Sequence, residues 1–157
     1  MPYFSLESRK NMEGIHPDLA YVLHYAINYL DFKVVEGVRS TERQQTLFHQ
    51  DPPVTTIDGV SKLSKHQIQP STGYGHAVDL YPYPIDDLSS LSGIRREKAL
   101  RRFVALAFFI KGLWEAMRRQ EQVHGSLRWG GDWDSDFDFN DQRFDDLPHI
   151  EIIPDNK

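Results

Sequence analysis

The chain of 157 residues contains no cysteine. That absence excludes a disulfide framework, a thiolate-bound zinc and a cysteine nucleophile together. It leaves the redox compartment open, because reducing and oxidising surroundings are equally compatible with it. Basic charge is not in excess either: 18 Lys and Arg stand against 23 Asp and Glu, a net charge of −5 with histidine neutral. Nucleic-acid binders normally show the opposite balance, so no such partner is expected. The N-terminus, Met1-Pro2-Tyr3-Phe4-Ser5-Leu6-Glu7, lacks a basic segment followed by an apolar run, so no secretory signal is read there. The longest apolar stretch, Phe103 to Ile110 and on past Lys111, is far short of the ~20 residues of a membrane span, so stable membrane insertion is not expected. There is no internal repeat and no low-complexity linker. Residues 1–157 are expected to form a single domain, long enough to bury roughly two-thirds of its unfolded surface without disulfides.

What is present first is an amphipathic helix. Leu19, Val22, Leu23, Ala26, Ile27 and Leu30 recur at helical spacing, and Pro17 suits the first turn, where its missing N–H costs nothing. Phe32 to Val38 reads as a strand, rich in β-branched residues. Thr41 with Gln44 three positions on has the form of a capping box opening a short helix to about Gln50. From Asp51 to Gly75, Pro52, Pro53, Gly59, Pro70 and Gly73 break any pattern and predict a loop. Ala77 to Tyr81 is a short strand ended by Pro82 and Pro84. Arg95 to about Gln120 is a long helix, with Leu100, Val104, Ala107, Phe108 and Leu113 as candidate core. Leu127 to Trp129 is a strand, Gly130 to Asp146 an acidic, aromatic loop, and His149 to Ile153 a closing strand. The class is α+β: a small antiparallel sheet packed by helices, with the polar residues on the sheet.

Three separated fragments carry the chemistry: Ser64-Lys65-His66, Gly75-His76-Ala77-Val78-Asp79 and Asp146-Leu147-Pro148-His149-Ile150-Glu151. Zn²⁺ takes imidazole nitrogen and carboxylate oxygen, and a catalytic site keeps three protein ligands and one open position. His66, Asp79 and His149 supply such a set, and Asp146 would stand beside the open position as a base. Side chains alternate along a strand, so Ala77 shares a face with Asp79, and His149 with Glu151. His76 is the competing imidazole, but alternation turns it away from Asp79. The remaining histidines, His16, His24, His49 and His124, lie outside these fragments and read as structural or solvent-exposed.

With these residues the chain resembles the zinc peptidases that include D-alanyl-D-alanine carboxypeptidases and the L-alanyl-D-glutamate endopeptidases of phage endolysins. That family carries Ser-x-His-x-x-Gly-x-Ala-x-Asp, matched by Ser64, His66, Gly75, Ala77 and Asp79. It also carries an acidic residue three before a C-terminal histidine, matched by Asp146 and His149. Gly37-Val38-Arg39-Ser40 resembles the family's strand-end arginine, and Arg128-Trp129-Gly130-Gly131-Asp132-Trp133 resembles the segment before the last ligand in the phage type. One departure stands out. The family's three-residue step from His to Gly is nine here (75 − 66), so six residues are extra.

The resemblance implies a peptidoglycan stem peptide as substrate and zinc as cofactor. The ligands would be His66, Asp79 and His149, and Asp146 would be the base. Arg39 would stabilise the oxyanion or hold a substrate carboxylate; otherwise it forms a surface ion pair with Glu36 or Glu42. Ser64 and Glu151 are expected to orient ligands, Glu151 being alternatively an ordinary surface residue. Trp129, Trp133, Phe137, Phe139 and Phe144 either line a substrate groove or pack the acidic loop on the core. Asp132, Asp134, Asp136, Asp138 and Asp141 offer oxygen ligands of the kind calcium takes, although the spacing is not that of an EF-hand. The expected activity is L-Ala–D-Glu hydrolysis that lyses the host wall. The alternatives are a D-alanyl-D-alanine carboxypeptidase and a non-catalytic wall-docking protein of the same fold. A monomer without a wall-binding module is expected, held in the host cytoplasm until a separate membrane pore releases it towards the periplasm.

Overall fold

The computed structural model describes residues 2–139, 141 and 145–155. Four helices and six strands follow in the order α1 (Leu6–Asn11), α2 (Pro17–Ala26), β1 (Phe32–Glu36), α3 (Thr41–Phe48), β2 (Ile68–Gln69), β3 (Tyr74–Gly75), β4 (Ala77–Pro82), α4 (Gly93–Arg119), β5 (Ser126–Gly130) and β6 (Asp146–Ile153). The main sheet has the order β1-β4-β6-β5, and each neighbouring pair is antiparallel. This is the α+β class that the sequence predicts.

One face of the sheet is apolar and carries the core. Val34, Val78, Leu80, Leu127, Trp129, Ile150 and Ile152 meet Leu19, Val22 and Leu23 of α2 and Leu106, Ile110 and Trp114 of α4. Each such side chain contributes about 1.5–3 kcal/mol when fully removed from water. The buried indole of Trp114 is not an orphan: its Nε1 donates to Gly125 O at 3.1 Å. The α2 stripe works as read through Ile27, but the helix stops at Ala26 and Leu30 lies beyond it, 37% exposed.

Several boundaries differ from the sequence reading. Helix α1 has no apolar stripe to announce it. It begins because Ser5 Oγ accepts from Ser8 N, and it docks through Asn11, whose Nδ2 donates to the carbonyls of Val34 and Val35. The α3 cap is Ser40, whose hydroxyl accepts from Arg43 N, so Thr41 and Gln44 form no capping box. Gln44 is instead fully buried. The presumed loop before Gly75 contains the β2–β3 hairpin. The first strand ends at Glu36, and at Gly37 the backbone of Asn11 passes so close that an added Cβ would lie 1.9 Å from Asn11 O, which only glycine allows. Finally, β6 begins at Asp146 rather than His149. Register slips between Trp129 and Gly130: Trp129 lies opposite Ile150, but Gly130 opposite Asp146. Pro148, which lacks an N–H, falls within that slip, where an inner strand tolerates it.

Candidate metal centre

Strand geometry places two of the three predicted ligands side by side. Val78 and Leu80 face the core, so Ala77 and Asp79 occupy the opposite face. Asp79 and His149 are direct Cα partners across β4 and β6. Ala77, with no exposure, keeps the space beside Asp79 free of bulk. His66 comes from the loop after α3, and three contacts fix it. Its carbonyl accepts from Arg39 N at 2.9 Å, its N–H meets Ser64 Oγ at 3.3 Å, and its ring Nδ1 meets Gly37 O at 2.8 Å. Ser64 thus holds the backbone of His66, not its ring.

The three inner atoms form a nearly equilateral triangle. His66 Nε2 and His149 Nδ1 are 3.1 Å apart, and each lies 3.3 Å from Asp79 Oδ1. Tetrahedral zinc with bonds of about 2.0–2.1 Å separates its ligand atoms by about 3.3 Å. Asp79 Oδ1 is buried and, among the described residues, has no hydrogen-bond partner in good geometry, although two imidazoles face it. The outer nitrogens are spoken for: His66 Nδ1 by Gly37 O, and His149 Nε2 by Glu151 Oε2 at 3.0 Å. An outer N–H given to an acceptor leaves the inner nitrogen as a lone pair, the usual way a metal-binding imidazole is aimed. The donor set therefore fits a zinc ion.

Electrostatics agree with a site built around positive charge. Burial pushes the Asp79 carboxyl up, but the hydrogen-bonding proximity of His149 and His66 outweighs it, and the group is held below the ordinary carboxylate range. Burial alone would lower His149; the carboxylates of Asp79 and Glu151 reverse this and raise it to about 9. Glu151 is lowered against its burial by His149 and Arg128. Asp146 moves the other way. Burial first, and then the charge of Asp79, raise it above the usual value, against the pull of His149, His66 and Arg39. Its Oδ2 stands 4.0 Å from His149 Nδ1.

His76 is placed away from this cluster. Its ring is buried, Nε2 meets Thr72 Oγ1 at 2.7 Å, and its edge packs on His16. The six extra residues explain how His66 keeps its place. The β2–β3 hairpin reverses the chain, and His76 N returns to Lys65 O at 2.7 Å. The Arg39 side chain is only 9% exposed, so it does not form an ordinary surface ion pair. Its Nη1 donates to Gln44 Oε1 at 2.8 Å, it pairs with Glu36 and not Glu42, and Nη2 lies 3.8 Å from Asp79 Oδ2. Gln44, read from the sequence as part of a capping box, is instead the side chain that holds Arg39. Its Nε2 also donates to Ile57 O at 2.7 Å, tying Arg39 to the following loop. A polar side chain at the buried position of α3, three residues before Leu47, was its signal.

The acidic loop divides. Phe137 and Phe139 pack on Phe108, and Trp129 is in the core, whereas Trp133 lies 5.5 Å from the His149 ring. Phe144 lies outside the described residues. The carboxylates of Asp132, Asp134 and Asp136 come within 4.8 Å of one another, and Asp138 and Asp141 do not belong to that group. Asp132 is buried, gives one oxygen to Asp136 N and has its other oxygen 3.9 Å from Lys111 Nζ. Exposed acidic groups commonly gather in this way without an ion, and calcium gains no support.

The model of the family described as phage L-alanyl-D-glutamate peptidase matches residues 2–153. The chain belongs to this family. Among solved structures, it is similar to the crystal structure of Serratia marcescens L-Ala D-Glu endopeptidase ChiX. The two are 25% identical with a TM-score of 0.60, over 96% of this chain and 89% of that one. No curated protein matches. Membership makes the protein a peptidase of the peptidoglycan-directed kind, and it accounts for the fold that brings His66, Asp79 and His149 together.

Proposed function

We propose that this protein is a zinc-dependent endopeptidase that hydrolyses the L-Ala–D-Glu bond of peptidoglycan stem peptides. The observation that carries the metal reading is the His66–Asp79–His149 triangle, whose sides match tetrahedral zinc and whose outer nitrogens are already satisfied. The family and ChiX, each named for that bond, support the choice of substrate. Zinc, when bound, supplies a Lewis acid that polarises the scissile carbonyl and makes water a better nucleophile.

The chain's own groups do the rest. Asp146 takes a proton from the attacking water and gives it to the departing D-Glu nitrogen. Burial and the charge of Asp79 raise its pKa above the ordinary carboxylate value, which makes it a stronger proton acceptor than a free aspartate. Arg39, held by Glu36 and Gln44 beside Asp79, steadies the negative charge that develops on the carbonyl oxygen. A cleft of about 360 Å³ is lined by Tyr81, Leu100, Val104, Trp129, Asp145 and Leu147, with none of His66, Asp79, His149, Asp146 and Arg39 among its walls.

In this reading the protein lyses the host wall as a monomer, waiting in the host cytoplasm until a pore lets it reach the periplasm. No helix among the described residues is long and apolar enough to cross a membrane. Loss of turbidity in permeabilised Gram-negative cells, with zinc and with chelator, tests lysis. A wall-docking protein without catalysis would have no use for three converging donors and a base, and no observation favours a D-alanyl-D-alanine carboxypeptidase.

A further inference from the structure

Arg128 reaches the metal centre by two routes. It lies opposite Glu151 in the β5–β6 ladder. Its Nε donates to Glu151 Oε1 at 2.9 Å, and Nη2 makes a second bond to the same oxygen. The other carboxylate oxygen, Oε2, holds His149 Nε2 at 3.0 Å. The guanidinium also lies 5.4 Å from the centre of the Trp133 ring, and that ring stands 5.5 Å from His149. Glu151 is 4% exposed and Arg128 38%, so the arginine closes the chain of contacts at the surface.

We propose that Arg128 is a positioning residue for the metal centre, locking His149 through Glu151 and through Trp133. This rests on reading His66, Asp79 and His149 as the zinc ligands. Without Arg128, Glu151 Oε1 loses its partner inside the protein. A buried carboxylate with an unpaired oxygen is costly and turns towards water when it can. Turning withdraws Oε2 from His149, whose ring then has no fixed acceptor to keep its Nε2 proton outward and its Nδ1 aimed at the ion. The flat, forked guanidinium is needed because it grips Glu151 with two donors while its face rests on Trp133. A lysine ammonium can do one of these but not both.

The test is zinc affinity, measured by chelator competition on the full-length protein. The set is wild type, Arg128→Ala, Arg128→Lys and, as control, Arg118→Ala, an exposed arginine paired with Glu115 on the last turn of α4. Arg128→Ala is expected to weaken zinc binding by about 10–100-fold. Arg128→Lys should fall between it and wild type, and Arg118→Ala should match wild type. In the zinc-loaded wild type, the His149 Nε2 proton should give a sharp imidazole NMR signal that Arg128→Ala broadens. If Arg128→Ala fails to fold, Arg128→Lys decides alone: weaker binding supports the proposal, and wild-type binding overturns it. Zinc bound equally by wild type and Arg128→Ala overturns the role of Arg128 and leaves the metal site standing. A wild type that binds no zinc overturns both.

Discussion

His66 Nε2 and His149 Nδ1 face each other at 3.1 Å, from positions 83 residues apart in the chain. Both rings have their other nitrogen on a fixed acceptor, so two lone pairs converge beside a buried carboxylate oxygen. Such a pair repels unless a cation lies between the nitrogens. In the protein alone burial disfavours the charged ring, but the carboxylates of Asp79 and Glu151 outweigh it and raise His149 to about 9. A zinc ion would satisfy all three donors at once.

The ligand assignment separates His66 from His76. His66→Ala and His149→Ala should each lose the one zinc equivalent expected of wild type, by elemental analysis of dialysed protein. His76→Ala should keep zinc, because its ring is turned to Thr72 and His16. Zinc retained in His66→Ala and lost in His76→Ala would reverse the assignment.

Asp146 should matter to rate and not to metal content. Asp146→Asn keeps the size and removes the proton acceptor. General bases contribute ~10²–10⁴-fold, so turnover of purified peptidoglycan should fall at least a hundredfold with zinc intact. Asp145→Asn is the neighbouring control and should stay within a few-fold of wild type. A dead Asp145→Asn beside an active Asp146→Asn would move the role by one residue.

His76 sets an acid limit on stability. Burial is the main cause of its lowered pKa, about 4, with the nearby charges of His16 and Lys65 adding to it and Glu151 opposing. The unfolded chain gains the proton near pH 6.5 and the folded protein only near 4. Above 6.5 both forms are neutral and the group is silent. As pH falls from 6.5 to 4 the unfolded state binds more protons, and stability drops by roughly 2–3 kcal/mol. Urea unfolding of wild type and His76→Gln should show the difference between them shrinking across that window. A constant difference would mean that His76 does not titrate as described.

How much of this could be read in advance depended on whether a residue's role was local. Strand alternation sufficed to turn Asp79 from the core and His76 from Asp79, because both follow from the backbone period alone. The α2 stripe was readable for the same reason. Helix α1 was not, since its stability comes from Asn11 binding the carbonyls of a strand more than 20 residues away. Gln44 fits a local capping pattern, yet its partners are Arg39 and Ile57, and burial decided its role. Asp146 reads as the end of the acidic, aromatic loop from Gly130, but the register slip at Gly130 lets β6 begin there. The partnership of Arg128 with Glu151 depends on which residues the ladder sets opposite each other, which spacing along one chain does not contain.

The most direct test of the central claim is mass spectrometry of products from purified sacculi, treated with zinc-loaded protein and with protein stripped by chelator and then resupplied with zinc. The account predicts free N-termini on D-Glu and C-termini on L-Ala, lost on stripping and restored by zinc. Release of terminal D-Ala instead, or the same cleavage in the stripped protein, would contradict it.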